Sequence, residues 1–191
     1  MKLHIYLFRH GQTTFNRDKR FTGWLESKLT KKGIQDAKII AKKLKNKKID
    51  VAVQTTLSRS KDTLKCVLKY HPECIKIMTD NRMIERCYGK FQGMYHKQII
   101  SKYGQKMFDK WHRDYDFPPP KGESIKMVEK RVLSFIKDMF IFMRKYKKNV
   151  AISAHGNSMR PFRRYFEHLT IKQMMKLENP YDDYFEYTIN G

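Results

Sequence analysis

Short apolar runs alternate along this chain with longer stretches of helical period. Leu3, Ile5, Tyr6, Leu7 and Phe8 form a run rich in strand formers that stops at Arg9-His10-Gly11, the pattern of a buried strand feeding a loop. From Thr30, a plausible N-cap by residue type, the residues Gly33, Ile34, Ala37, Ile40, Ala41 and Leu44 fall on one helical face with lysines opposite. A helix is therefore predicted from about Thr30 to Asn46. A second buried strand is predicted over Asp50–Gln54, a helix over Leu57–Tyr70 with Leu64, Val67 and Leu68 inward, and a third strand over Ile75–Met78. Helices are predicted over Lys97–Tyr103 and Gln105–Tyr115. The longest helical pattern runs over Ser124–Tyr146, with Val128, Val132, Phe135, Ile136, Met139, Phe142 and Met143 at core spacing. Its methionines read as core filler. Val150–Ala154 is a further buried strand, and it too stops at a histidine, His155-Gly156-Asn157. Helices over Ser158–Glu167 and Ile171–Leu177 and an edge strand over Tyr184–Ile189 complete the pattern.

Strands alternating with helices predict an α/β fold with a parallel sheet, and such sheets bind ligands beyond the carboxyl ends of their strands. Phe117-Pro118-Pro119-Pro120-Lys121-Gly122 breaks any helix but is too short to separate domains, so it reads as a surface crossing within one catalytic domain spanning 1–191. A length of 191 residues suits one domain with a real core.

Composition narrows the classes. A hydrophobic content of 40% excludes a disordered chain, while 31% charged residues imply a very polar surface. Lys and Arg number 41 against 19 Asp and Glu, leaving +22, a field that attracts anionic partners. Runs such as Lys42, Lys43, Lys45, Lys47 and Lys48 read as a solvated lysine-rich face rather than a dedicated nucleic-acid patch. Cys66, Cys74 and Cys87 match no metal-ligand spacing and make no disulfide framework, so a reducing compartment is expected. No apolar run reaches membrane-spanning length, and Met1–Phe8 is too short for a signal peptide; a cytoplasmic enzyme is expected.

His10 and His155 carry the chemistry. Each follows a short apolar strand and precedes a glycine, so neighbouring strands would turn both imidazoles into one pocket. Phosphoryl transfer needs an in-line nucleophile and positive groups around the equatorial oxygens. Arg9, beside His10, offers a bidentate fork, and Arg59, at the start of the helix after the second strand, can reach the same oxygens. That cradle needs no metal. His10 must attack as a neutral imidazole with its other ring nitrogen donating, most simply to a loop carbonyl, and His155 would be the charged partner. Glu85 either exchanges protons with the leaving and incoming oxygens or forms a structural ion pair with Arg86. His4, His71 and His168 lack such a placement and read as incidental.

The stretch Phe8-Arg9-His10-Gly11-Gln12-Thr13-Thr14-Phe15-Asn16 resembles the signature of the histidine phosphatase superfamily, and the likeness continues to near the C-terminus. Four further segments are similar to the 2,3-bisphosphoglycerate-dependent phosphoglycerate mutases. They are Arg20-Phe21-Thr22-Gly23-Trp24, Glu85-Arg86-Cys87-Tyr88-Gly89 with Gln92-Gly93, Lys102-Tyr103-Gly104, and Ala154-His155-Gly156-Asn157-Ser158-Met159-Arg160. The resemblance implies a three-layer sandwich of helices about a mostly parallel sheet. It implies an isomerase of glycolysis, primed by 2,3-bisphosphoglycerate, that interconverts 3-phosphoglycerate and 2-phosphoglycerate through a phosphohistidine at His10. Arg9, Arg59 and His155 would hold the phosphoryl group, Asn16 would touch it, and Glu85 would serve as acid and base. Thr22 and Gly23 would meet the substrate's carboxylate end, Arg86, Tyr88 and Arg113 would hold its other anionic groups, and Gly156 and Asn157 would line the phosphate pocket.

The chain departs from the mutase pattern. His96 stands where mutases place a lysine, with Lys97 beside it, and His112-Arg113 stands for paired arginines. An imidazole is only partly charged near neutral pH, so the grip on a second phosphate should be looser. The crossing from Tyr115 to Glu123 is short, Pro119-Pro120-Lys121-Gly122-Glu123-Ser124 resembles the superfamily's small phosphatases, and a water-excluding tail after Ile189 is not expected. Hydrolysis of small phosphomonoesters through the same intermediate is thus the alternative activity, and a fold retained only for nucleic-acid binding or scaffolding is a third reading. The expected partner is a small phosphorylated metabolite, without specific nucleic acid or membrane; a homodimer is left open.

Overall fold

The computed structural model describes residues 1–191. Five strands form one sheet: β1 (Lys2–Arg9), β2 (Val51–Gln54), β3 (Lys76–Thr79), β4 (Val150–Ala154) and β5 (Tyr184–Asn190), in the order β3-β2-β4-β1-β5. All neighbours run parallel except β5, which pairs antiparallel with β1 along the edge.

Side chains alternate across the sheet, and each face buries its own set. Leu3, Ile5 and Leu7 of β1 join Val51, Val53, Val150 and Ile152 against α6 (Ile125–Tyr146) and α7 (Gly156–Glu167). Tyr6 and Phe8, on the opposite face, join Ala52 and Ala151 against α2 (Lys31–Leu44) and α3 (Ser58–Leu68). The result is the three-layer sandwich implied by the resemblance.

A third cluster, Phe21, Tyr88, Phe91, Ile99, Phe108 and Trp111, holds α4 (His96–Tyr103) and α5 (Gln105–Arg113). The Thr30 cap expected from sequence is present, its side chain accepting from the Gly33 N–H, and Ser124 caps the longest helix by accepting from the Met127 N–H. A one-turn helix, α1 (Thr14–Arg17), was not legible from periodicity because it is too short to show one; the reciprocal Thr13–Asn16 capping box makes it. α8 (Ile171–Met175) precedes the last strand. The three cysteines are free, and no helix is long and apolar enough to cross a membrane.

Candidate active site

Register sets the site. β1 and β4 pair so that Arg9 stands opposite Ala154, which brings the next residues, His10 and His155, side by side at the carboxyl ends. The His10 N–H continues the ladder to the Ala154 carbonyl at 3.1 Å, and the two rings lie 5.0 Å apart, centroid to centroid. β2 flanks β4, so α3 starts beside the same edge and delivers Arg59. Ser60 and Ser153 lock α3 to β4 by reciprocal hydroxyl-to-carbonyl bonds of 2.8 and 2.9 Å.

His10 is nearly inaccessible, and its Nδ1 lies 2.7 Å from the Gly11 carbonyl. A carbonyl only accepts, so Nδ1 carries the proton and Nε2 keeps its lone pair. Burial, with Arg59 and Arg9 close by, holds the ring well below its ordinary value of 6.5, so it is neutral. His155 is fully buried, with the Thr55 hydroxyl 2.8 Å from Nε2 and no partner for Nδ1. Burial, then Arg59, His10 and Arg9, hold it well below 6.5 as well. This corrects the expectation of a charged His155: without an anion beside them, four cation-forming groups cannot all be charged, and the buried imidazoles give way first.

Arg59 donates to the Leu25 and Gly23 carbonyls at 2.8 and 2.7 Å, and burial lowers its pKa to about 10. Gly23 takes a φ of +54°, a left-handed turn open to glycine, which aims its carbonyl at Arg59. Arg9 donates to the Asn179 carbonyl at 3.2 Å, lies over the Tyr181 ring, and leaves Nε buried without a partner. It packs flat on Gly156, where a Cβ would stand 3.2 Å from the guanidinium carbon; glycine is what lets it approach. Asn16 spends its carbonyl oxygen on the Thr13 N–H and hydroxyl, which leaves its amide NH2 for the pocket.

Glu85 is buried at the pocket wall, where Oε1 accepts from the Arg86 and Asn157 N–H groups at 2.7 and 3.2 Å. Its loop is pinned by Arg131, which donates to the Arg82, Ile84 and Glu85 carbonyls. Tyr88 and Asn157 are joined at 3.1 Å. These residues, with Arg9, His10, Asn16, Thr22, Gly23, Arg59, His96, His112 and Gly156, line one cavity of about 240 Å³.

Two expected site residues lie elsewhere. Arg86 is fully buried and donates to the Glu123, His112 and Phe117 carbonyls, so it ties the Glu85 loop to the α5–α6 crossing instead of meeting an anion. It makes no side-chain ion pair with Glu85; only its backbone N–H reaches the carboxylate. Arg113, the last residue of α5, is exposed and outside the cavity, turned about 100° around the helix from the inward-facing His112. His96 packs on Phe21 at 4.4 Å and stands 5.3 Å from His112. Burial lowers both, His112 to about 4, so this wall is neutral at neutral pH.

Lys19, Arg20, Arg160, Glu178, Asn179 and Tyr181 also line the cavity, although the sequence assigns none of them a role there. Arg160 follows Gly156 by four positions in α7, and that helical spacing was a usable signal. The segment around Asn179 and Tyr181 carries no local pattern.

Known proteins place this geometry. Proteins named 2,3-bisphosphoglycerate-dependent phosphoglycerate mutase from Parvibaculum lavamentivorans and Methanococcus vannielii are 34% identical over 176 residues and 32% over 203. The matches cover 91% and 93% of this chain and 84% and 86% of those relatives. Among solved structures, a phosphoglycerate mutase from Bacillus anthracis superposes with a TM-score of 0.80 at 21% identity, covering 98% of this chain and 88% of that one. An alpha-ribazole phosphatase from Shigella flexneri does so with 0.83 at 21%, covering 98% and 91%; both share the fold. The family model of the histidine phosphatase superfamily (branch 1) matches residues 5–189, so this chain, with paired histidines at the ends of adjacent parallel strands, belongs to that superfamily.

Proposed function

We propose that the protein is a phosphoglycerate mutase that interconverts 3-phosphoglycerate and 2-phosphoglycerate through a phosphohistidine at His10. The observation that carries this reading is a cavity with the nucleophile between Arg9 and Arg59 and further permanent cations, Lys19, Arg20 and Arg160, in its walls. A substrate with only one anionic group would leave much of that charge unmatched.

In the forward step Nε2 of His10 bonds to phosphorus as the ester P–O bond breaks, and Glu85 gives the leaving oxygen its proton. Arg9, Arg59, Asn16 and the Nδ1 side of His155 stand ready for the equatorial oxygens. The second step reverses the roles: the ionised Glu85 takes the proton of the free hydroxyl of a bound monophosphoglycerate as that oxygen attacks phosphorus and His10 leaves. 2,3-Bisphosphoglycerate, when bound, supplies the first phosphoryl group. Buried, unpartnered donors at Arg9 Nε and Thr22 Oγ1 suit such a polyanion.

Hydrolysis of small phosphomonoesters is the second reading, favoured by one observation. The His96–His112 wall is neutral at neutral pH, so a second phosphate is gripped less there and water can compete for His10. Incubation with 2,3-bisphosphoglycerate and 3-phosphoglycerate separates the two: 2-phosphoglycerate without free phosphate supports the mutase, and phosphate release alone overturns it for the phosphatase.

The depressed His10 also sets a pH profile. The neutral ring is the nucleophile and its pKa lies well below 6.5, so kcat/KM should hold as pH falls through 6.5 and drop only well below it. The profile must be corrected for the substrate phosphate, which ionises near about pH 6. An acid limb at 6.5 or above would contradict a buried, cation-flanked nucleophile.

A further inference from the structure

Arg86 and Arg113 do not reach the cavity, so the group that would hold the substrate's second anion has to be found among other residues. The permanent cations that line the cavity sort by what they already hold. Arg59 serves two carbonyls, and Arg9 lies over Tyr181 and donates to Asn179. Arg20 donates Nε to the Gly93 carbonyl at 2.7 Å and is sandwiched against the Phe15 and Tyr95 rings. Lys19 and Arg160 remain. Neither forms an ion pair, and the one side-chain bond Arg160 makes is a long 3.5 Å contact to Asn157 Oδ1.

Lys19 is placed with care. It is a non-glycine residue at φ +53°, a conformation that costs energy and needs outside support. Its N–H donates to the Asn16 carbonyl at 3.3 Å, and its own carbonyl accepts from the His96 N–H at 2.9 Å, which locks it against the first turn of α4. Burial, and after it the Lys19 ammonium, lower the pKa of the neighbouring His96. Arg160 sits one turn into α7, beside the Asn157 that bonds Tyr88, and lines the same cavity as Tyr88 and His112. The Thr22 hydroxyl, buried and without a partner, lines the same cavity. Glu178 at the rim is the one nearby carboxylate besides Glu85, and it forms no ion pair with either cation.

We infer that Lys19 and Arg160 form the subsite for the substrate's non-transferred anion, a carboxylate or a second phosphate, across the His96–His112 wall. This inference rests on the proposed reading only in assuming a substrate with two anionic groups. Lys19 and Arg160 thereby set the preference for phosphorylated acids over neutral phosphomonoesters, while the two imidazoles shape the wall between them.

The test is equilibrium binding in a His10→Ala background, where no transfer intervenes. Dissociation constants are measured by calorimetry for 3-phosphoglycerate, 2,3-bisphosphoglycerate and glycerol 3-phosphate. Lys19→Met and Arg160→Gln should each weaken one or both of the acidic ligands by about tenfold or more relative to glycerol 3-phosphate, the loss of one charge-assisted bond. A loss confined to 2,3-bisphosphoglycerate assigns a second phosphate to the subsite; a loss shared with 3-phosphoglycerate assigns the carboxylate. Arg160→Lys should restore part of the selectivity, and Lys130→Met, on the exposed side of α6, should not change it. Equal weakening of all three ligands, or none, overturns the subsite. Because Lys19 is an exposed loop residue, its variant remains informative if Arg160→Gln does not fold. A wild-type protein that makes no 2-phosphoglycerate would refute the mutase reading and leave these binding ratios standing.

Discussion

Replacing His10 with alanine should abolish formation of an acid-labile phosphoenzyme and cut turnover by roughly 10⁴-fold or more, as loss of a covalent nucleophile does elsewhere. The argument is geometric before it is electrostatic. Nδ1 is committed to the Gly11 carbonyl, so one nitrogen, Nε2, is left to attack, and burial together with the Arg59 and Arg9 guanidinium groups holds the ring's pKa well below its ordinary value. The fold should survive, since the backbone N–H of His10, not its ring, holds the β1 end to Ala154. Circular dichroism and thermal melting would check that. His155→Ala is the informative contrast: it removes a stabiliser and keeps the nucleophile, so labelling should be slower but present. Persistent labelling in His10→Ala with loss of labelling in His155→Ala would exchange the two roles.

Both histidines were legible because each ends a strand whose apolar run is plain in sequence, and parallel pairing does the rest. Arg59 was legible for a related reason, standing at the start of the helix after β2. Charge state was not legible. Nothing local in the sequence marks His155 as neutral; complete burial first, and then the neighbouring cation-forming groups, lower its pKa. The misplaced residues fail in the same physical way. In two neighbouring pairs one residue faces the cavity and the other turns away: Glu85 faces the cavity and Arg86 turns to Glu123, and His112 faces the cavity while Arg113 meets solvent. The cations that do line the pocket come from a left-handed turn at Lys19 and from the helical repeat at Arg160.

Pocket electrostatics also gives the net charge a use. A chain with +22 draws anions toward its whole surface, and that attraction is screened over about 8 Å at physiological salt. Selection among those anions falls to the groups that line the cavity. Glu85 and Glu178 are the two carboxylates in this lining, and of the two Glu85 is buried, its Oε1 held in place by the Arg86 and Asn157 N–H groups.

Glu85→Gln should therefore separate proton transfer from the rest of the site. The amide has the carboxylate's shape, and its oxygen can still accept from the Arg86 and Asn157 N–H groups, so the loop held by Arg131 should not move. What is lost is the exchangeable proton. With phosphoglycerates, whose leaving oxygen is a poor leaving group until protonated, turnover should fall by about 10²–10⁴-fold. With 4-nitrophenyl phosphate, whose phenolate departs without help, the first-turnover rate of His10 phosphorylation should fall far less. Comparing the two substrates in one variant is decisive, because damage to the cradle would slow both alike. Equal losses would make Glu85 a structural or electrostatic residue, and undiminished turnover of phosphoglycerate would assign the acid and base to another group in the wall.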